Sequence, residues 1–159
     1  MMASVPYILD TNILVHSVRG DAVWSRIRSE YNLLAIEPTP LISVVTVGEL
    51  RSLAVQHRWG ETKLDQMAFL LGYFERIPIA ADDLIDAYAV IDSTMAGRGH
   101  FLGKNDLWIA ATTVITGARL LTTDTDFDPL SPSIITRDWI DPRPPPSPRL
   151  TAPSPESQP

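Results

Sequence analysis

Two short apolar runs, Tyr7-Ile8-Leu9 and Ala118-Arg119-Leu120-Leu121-Thr122-Thr123, each stop at an aspartate, Asp10 and Asp124. Two further acids, Glu49 and Asp106, open amphipathic helical patterns. Such positions suit almost any residue better than a carboxylate, because removing one unpaired charge from water costs several kcal/mol even after relaxation. Bringing several together adds mutual repulsion and drives their pKa values up. A divalent cation relieves both penalties, and an oxygen-only donor set suits the hard ions Mg²⁺ or Mn²⁺. A site of that kind points to metal-assisted phosphate chemistry.

The pattern along the chain alternates strands with helices. Val5–Leu9 reads as a strand, followed by a helix from Thr11 or Asn12 and another over Ala22–Tyr31, with Val23, Ile27 and Tyr31 on one face. Leu41–Val45 reads as a second strand or the lead into a helix that continues from Thr46 through Leu50, Leu53 and Ala54. Lys63–Glu75 has helical spacing at Leu64, Met67, Ala68, Leu71 and Phe74, and Arg76–Ile79 reads as a short strand that Pro78 confines to an edge or end. Ala81–Arg98 is helical, with Asp82 and Asp83 in the first turn. After a glycine-rich loop, a helix from Asn105 or Asp106 runs to a stop at Gly117, and strands are expected at Arg119–Thr122 and Ile134–Thr136. This order predicts an α/β domain with a mainly parallel sheet flanked by helices. Sites in such sheets gather at the carboxyl ends of strands, where Asp10 and Asp124 stand.

Composition narrows the chemistry further. The 159 residues include no cysteine, which excludes disulfides, thiolate zinc sites and cysteine nucleophiles. No window approaches the ~20 apolar residues that cross a bilayer. The opening Met-Met-Ala-Ser-Val-Pro lacks the features of a secretory signal, so a soluble, cytoplasmic protein is expected. A net charge of −6 argues against a polyanionic partner. That objection weakens if metal neutralises several acids, and the 11 arginines beside 2 lysines favour phosphate contacts. From Pro142 onward the chain holds 8 of its 14 prolines and little to bury, so 1–141 is expected to fold and 142–159 to form an extended tail.

Taken singly, each acid has an ordinary explanation. Asp10 suits a helix N-cap, Asp106 complements a helix dipole, Glu49 suits a solvated helix face, and Asp124-Thr125-Asp126 suits a turn. Other signals lead nowhere. Gly97-x-Gly99-x-x-x-Gly103 misses both phosphate-loop patterns and does not follow a strand. His16, His57 and His100 lack metal-ligand spacing. Trp24, Trp59, Trp108 and Trp139 are candidates for base stacking, with packing the better account of Trp108. Arg98 and Lys104 lead toward Asp106 and are candidates for substrate phosphate contacts.

Four segments together carry a resemblance. They are Tyr7-Ile8-Leu9-Asp10-Thr11-Asn12-Ile13-Leu14, Ser43-Val44-Val45-Thr46-Val47-Gly48-Glu49-Leu50, Asn105-Asp106-Leu107-Trp108-Ile109-Ala110-Ala111-Thr112, and Leu120-Leu121-Thr122-Thr123-Asp124-Thr125-Asp126-Phe127. In this order the sequence resembles the PIN-domain nucleases, especially the VapC-type toxins of bacterial toxin–antitoxin systems, over roughly Val5 to Thr136.

The resemblance implies a parallel sheet with an acidic pocket at its strand ends. By carry-over, Asp10, Asp106 and Asp124 would hold Mg²⁺ or Mn²⁺, and Glu49 would help bind metal and position the attacking water. Asn12, Thr123 and Asp126 would orient carboxylates or water, with Asp126 also approaching the metal. The implied activity is endoribonuclease hydrolysis of an RNA phosphodiester, leaving a 5′-phosphate and a 3′-hydroxyl. A homodimer and an antitoxin partner are implied as well. Two alternatives remain open from the residues themselves: a Mg²⁺-dependent phosphatase or phosphoacceptor domain with Asp10 as nucleophile, and a catalytically inactive domain that binds a protein partner.

Overall fold

The computed structural model describes residues 3–146. Within them, β1 (Tyr7–Leu9) enters α1 (Thr11–Arg19) directly through Asp10, and α2 (Ala22–Tyr31) follows. Next come β2 (Leu41–Ser43), α3 (Val44–Gln56), α4 (Glu61–Tyr73) and β3 (Glu75–Ile77). The second half runs α5 (Asp82–Gly97), α6 (Lys104–Thr116), β4 (Arg119–Thr122), a short 3₁₀ turn at Asp128–Leu130, and β5 (Arg137–Trp139). The five strands form one sheet in the order β3-β2-β1-β4-β5, and each neighbouring pair is parallel.

The period of two along each strand divides the core into two layers. Leu9, Ile42 and Leu121 face a cluster built with Ile13, Leu14, Trp24, Ile27, Leu50 and Leu70, from α1 to α4. Their neighbours Ile8, Leu41 and Leu120 face the opposite cluster, built with Leu84, Ile91, Met95, Leu107, Ala110 and Phe127. Successive side chains of a strand point to opposite faces, and both faces here are covered by helices. That is why these strands read as continuous apolar runs rather than as alternating ones.

Local signals set most boundaries. Asp21 caps α2 by accepting from Trp24 N at 3.0 Å, and Ser43 caps α3 by accepting from Val45 N at 3.2 Å. Gly117 ends α6 in the left-handed region at φ 65°, where a side chain would be strained.

Five expectations need correction. The third strand is Glu75–Ile77 rather than Arg76–Ile79. Only Tyr7–Leu9 of the first run is strand, and Val5 is exposed. Leu41–Ser43 is a strand, but the helix starts at Val44, because the Ser43 cap takes the chain out of the sheet. The fourth helix is Glu61–Tyr73 rather than Lys63–Glu75. Phe74 leaves it in extended geometry, Leu64 and Ala68 point to solvent, and Leu70, Leu71 and Phe74 make the buried contact. The last strand is Arg137–Trp139, not Ile134–Thr136. Ile134 and Ile135 instead donate their backbone N–H groups to Leu130 O, at 2.8 and 3.1 Å, and Ile135 plugs the core. The polar Arg137-Asp138-Trp139 segment is kept in the sheet by Asp138, which pairs with Arg119 at 2.6 Å and accepts from the Tyr7 hydroxyl at 3.3 Å.

Among the described residues no helix is long and apolar enough to cross a membrane. Of the expected proline-rich tail, residues 147–159 lie outside the described residues. Residues 142–146 are exposed, and Arg26 on α2 donates to the backbone carbonyls of Asp141 at 2.5 Å and Arg143 at 3.3 Å.

Candidate metal centre

The strand order reverses between β1 and β4, so the loops leaving their carboxyl ends diverge and open a crevice. Asp10 leaves β1 at that point and Asp124 leaves β4. Glu49 on α3 and Asp106 in the first turn of α6 wall the same cleft, because α3 and α6 pack together. The cleft encloses about 810 Å³, and Asp10, Glu49, Asp106 and Asp124 all line it. Side chains from four separate elements thus converge on one space.

Each carboxylate is held differently. Asp10 is only 4% exposed. Its Oδ1 accepts from Thr11 N at 2.8 Å and its Oδ2 from the Thr122 hydroxyl at 2.7 Å. The helix-cap role and the pocket role are therefore one geometry, since each oxygen keeps a further lone pair for another ligand. Glu49 Oε1 accepts from the Thr11 hydroxyl at 2.7 Å. Asp124 N donates to Thr122 Oγ1 at 2.9 Å, and Asp124 Oδ1 accepts from Asp126 N at 2.9 Å, which closes the expected turn. Asp106 needs the missing side chain of Gly103: a Cβ there would lie 3.2 Å from Asp106 Oδ2.

The electrostatics are those of an uncompensated anionic site. Burial pushes the Asp10 carboxyl up to about 6, with Asp124 and Glu49 adding repulsion against the hydrogen bonds that lower it. Asp106 is pushed up to about 7, first by burial and then by Asp10, Asp124, Glu49 and Asp126. The dipole at the start of α6 favours a carboxylate by at most ~2 kcal/mol, and burial with four like charges outweighs it. Among the described residues no lysine or arginine lines the cleft. Among the described residues, none of the five side-chain ion pairs includes these acids.

The donor set fits a hard divalent cation. Asp106, Asp124 and Asp126 each offer a carboxylate oxygen, and the three lie within 4.8 Å of one another. Asp10 and Glu49 line the cleft but fall outside that closest group. Asp126, expected as a supporting residue, thus stands with the inner set. Asn12 is exposed on the first turn of α1 and lines the cleft. Thr123 is half-buried and accepts the Trp139 indole N–H at its carbonyl, 3.1 Å away.

The hydroxyls that orient the carboxylates are those of Thr11 and Thr122. Sequence reasoning missed both in that role. The available signal was a threonine beside each strand-end acid, at positions an apolar residue would otherwise fill. Trp108 does pack, with its ring 4.1 Å from that of Tyr88, and it also lines the cleft. Arg98 and Lys104 are exposed and do not line it. Lys104 instead faces Asp92 on α5 at 3.6 Å, and the expected approach of these two cations to the pocket is not what the fold provides.

Comparison with known proteins agrees with the architecture. The family model of the PIN domain matches residues 7–131. Ribonuclease VapC2 of Rickettsia felis is 26% identical over 135 residues, spanning 84% of this chain and 97% of that protein. Ribonuclease VapC4 of Mycobacterium tuberculosis is 35% identical over 89 residues, spanning 54% of this chain and 67% of that one. The crystal structure of VapBC2 from Rickettsia felis, bound to a DNA fragment from their promoter, superposes with a TM-score of 0.72 at 23% identity, over 85% of this chain and 98% of that one. With the family match spanning most of the chain and the parallel five-stranded sheet beneath it, the chain belongs to the PIN domain family.

Proposed function

We propose that the protein is a metal-dependent endoribonuclease of the VapC type, acting as the toxin of a toxin–antitoxin pair. The observation that carries the reading is the convergence of carboxylates from β1, α3, α6 and the loop after β4 on one cleft, with no compensating cation among the described residues. The family match and the names of the curated relatives support ribonuclease chemistry over other uses of such a cleft.

Asp106, Asp124 and Asp126, with Asp10 beside them, would hold Mg²⁺ or Mn²⁺, directly or through water. A cation bound there supplies polarisation of the scissile phosphate and a water acidified for attack. The remaining work falls to the chain itself. Thr122 fixes the carboxylate plane of Asp10, and Thr11 fixes that of Glu49. Glu49, half-buried at the wall, orients the attacking water and takes up its proton. Asn12, which lines the cleft, and Thr123, which lines the adjoining groove, would orient carboxylates or water. No side chain becomes covalently attached to the substrate. The products would be a 5′-phosphate and a 3′-hydroxyl.

Partners follow from the same reading: an RNA substrate, an antitoxin chain covering the cleft, and a second copy of the protein, in the cytoplasm. Arg98 and Lys104 would meet RNA outside the cleft. The folded unit would comprise residues 1–141, with 142–159 as an extension. The test is cleavage of total RNA by purified protein. Activity should appear with Mg²⁺ or Mn²⁺, stop with chelator, and fall by more than about a hundredfold in Asp10→Asn and Asp106→Asn. Full activity in chelator, or in either variant, removes the mechanism.

A further inference from the structure

A second groove of about 490 Å³ adjoins the acidic cleft and shares Asn12 and Asp124 with it. Its other walls are Thr123, Thr125, Trp139, Asp141, Pro142 and Arg143. The parallel register sets Trp139 opposite Thr122, at the carboxyl end of β5. There the indole N–H is tied to Thr123 O at 3.1 Å, yet the residue stays 38% exposed. A large aromatic ring fixed along its edge and open to solvent is a stacking platform, and nothing in the core requires it. Arg143 is positioned with similar care. Its Nε and Nη2 bond to Asp141 at 2.6 to 3.0 Å, and Arg26 holds the backbone carbonyls of both residues. Nη1 keeps its donors free of any partner among the described residues, on a side chain that is 78% exposed.

Charge singles this groove out. Among the described residues the acidic cleft has no cationic side chain, whereas Arg143 is the one cation lining either groove. A polyanion reaching the carboxylates needs an anchor nearby, and the arginine fork suits phosphate.

We propose that this groove is a nucleotide subsite. It would hold the residue next to the scissile phosphate of a single-stranded RNA, with the base stacked on Trp139 and its phosphate against Arg143. The proposal deepens the ribonuclease reading and rests on it. Unpaired bases stack on aromatic rings with little sequence preference, so the subsite selects single strands over duplex rather than one sequence over another. Arg26 is a positioning residue, acting through the segment it pins.

The experiment measures equilibrium binding of a fluorescein-labelled oligoadenylate of about ten nucleotides by anisotropy, with Ca²⁺ present to neutralise the carboxylates. Cleavage kinetics with Mn²⁺ run in parallel, and circular dichroism checks that each variant is folded. Trp139→Ala should raise Kd about tenfold, and Trp139→Phe should recover most of that loss. Arg143→Ala should lower the salt slope by about one. In cleavage, Trp139→Ala should raise KM while kcat stays within about twofold. An unchanged Kd in Trp139→Ala, or equal loss in Trp139→Phe, overturns the subsite. The two readings separate cleanly. RNA binding that depends on Trp139 in a protein that cleaves nothing leaves a single-strand binding groove at Trp139 and removes the ribonuclease reading together with the scissile-phosphate register. Normal cleavage and binding indifferent to Trp139 does the reverse.

Discussion

The Thr122 hydroxyl donates to Asp10 Oδ2 at 2.7 Å, tying the carboxyl end of β4 to that of β1 across the point where the strand order reverses. Thr122 Oγ1 in turn accepts from Asp124 N at 2.9 Å, so one buried hydroxyl fixes both strand-end acids. A group that orients ligands without contacting substrate should alter metal affinity before it alters anything else. Thr122→Val is expected to weaken Mn²⁺ binding by about ten- to a hundredfold while leaving the circular dichroism spectrum intact. Titration calorimetry checks this. An unaltered affinity would show that Thr122 serves the fold alone.

Gly103 is a second such position. A methyl group there would stand 3.2 Å from Asp106 Oδ2, forcing the carboxylate to move by a few tenths of an ångström. Gly103→Ala should therefore lower cleavage by up to about tenfold with little change in melting temperature, because the backbone at Gly103 lies at φ −59°, which any residue adopts. Loss of folding in this variant would mean that Gly103 has a structural duty.

Stability should respond to pH in a definite direction. Asp10 and Asp106 have pKa values near 6 and 7 in the fold, above the ordinary 3.8. Both hold a proton where the unfolded chain has already released it, so their contribution is complete below about pH 4 and is lost as pH rises through about 7. In chelator, the melting temperature should fall over that interval, less steeply in Asp106→Asn, whose amide does not ionise. Added Mn²⁺ should raise it more at pH 7.5 than at pH 5, roughly speaking, because binding displaces these protons. A wild-type melting temperature that climbs in parallel with the variant's over the same interval would contradict the assignment.

Much of this molecule is legible in its residues. Asp10 and Asp124 mark the strand ends because a carboxylate after an apolar run has few other uses, and Ala22–Tyr31 and Arg119–Thr122 match their observed elements. The last strand escaped notice because burial and pairing separate there. Ile134 and Ile135 are apolar yet lie in a turn, while Arg137-Asp138-Trp139 is polar yet pairs with β4. At the site, residue type pointed to the acids but not to the hydroxyls of Thr11 and Thr122, because which neighbour a threonine meets depends on strand register. Arg98 and Lys104 fall outside the cleft for a related reason: nearness to Asp106 along the chain is not nearness in the cleft, and α6 carries Lys104 toward Asp92 instead.

A shortened chain tests where the folded unit ends. Stopping at Asp141 removes the Arg143 carbonyl that Arg26 holds and the exposed Arg143–Asp141 pair. Exposed pairs contribute little, so the melting temperature should stay within about 4 °C of the full chain. Binding of single-stranded RNA should weaken, because the truncation also deletes a wall of the second groove. A collapse in stability would place residues 142–159 inside the folding unit.

The most direct measurement is a calorimetric titration of Mn²⁺ into the wild-type protein and into Asp106→Asn, Asp124→Asn and Asp126→Asn. If the three aspartates share one cation, each substitution should weaken the same binding event by more than about tenfold, with circular dichroism spectra unchanged. Binding that is equally tight in all four proteins would mean that these carboxylates do not form a common metal site.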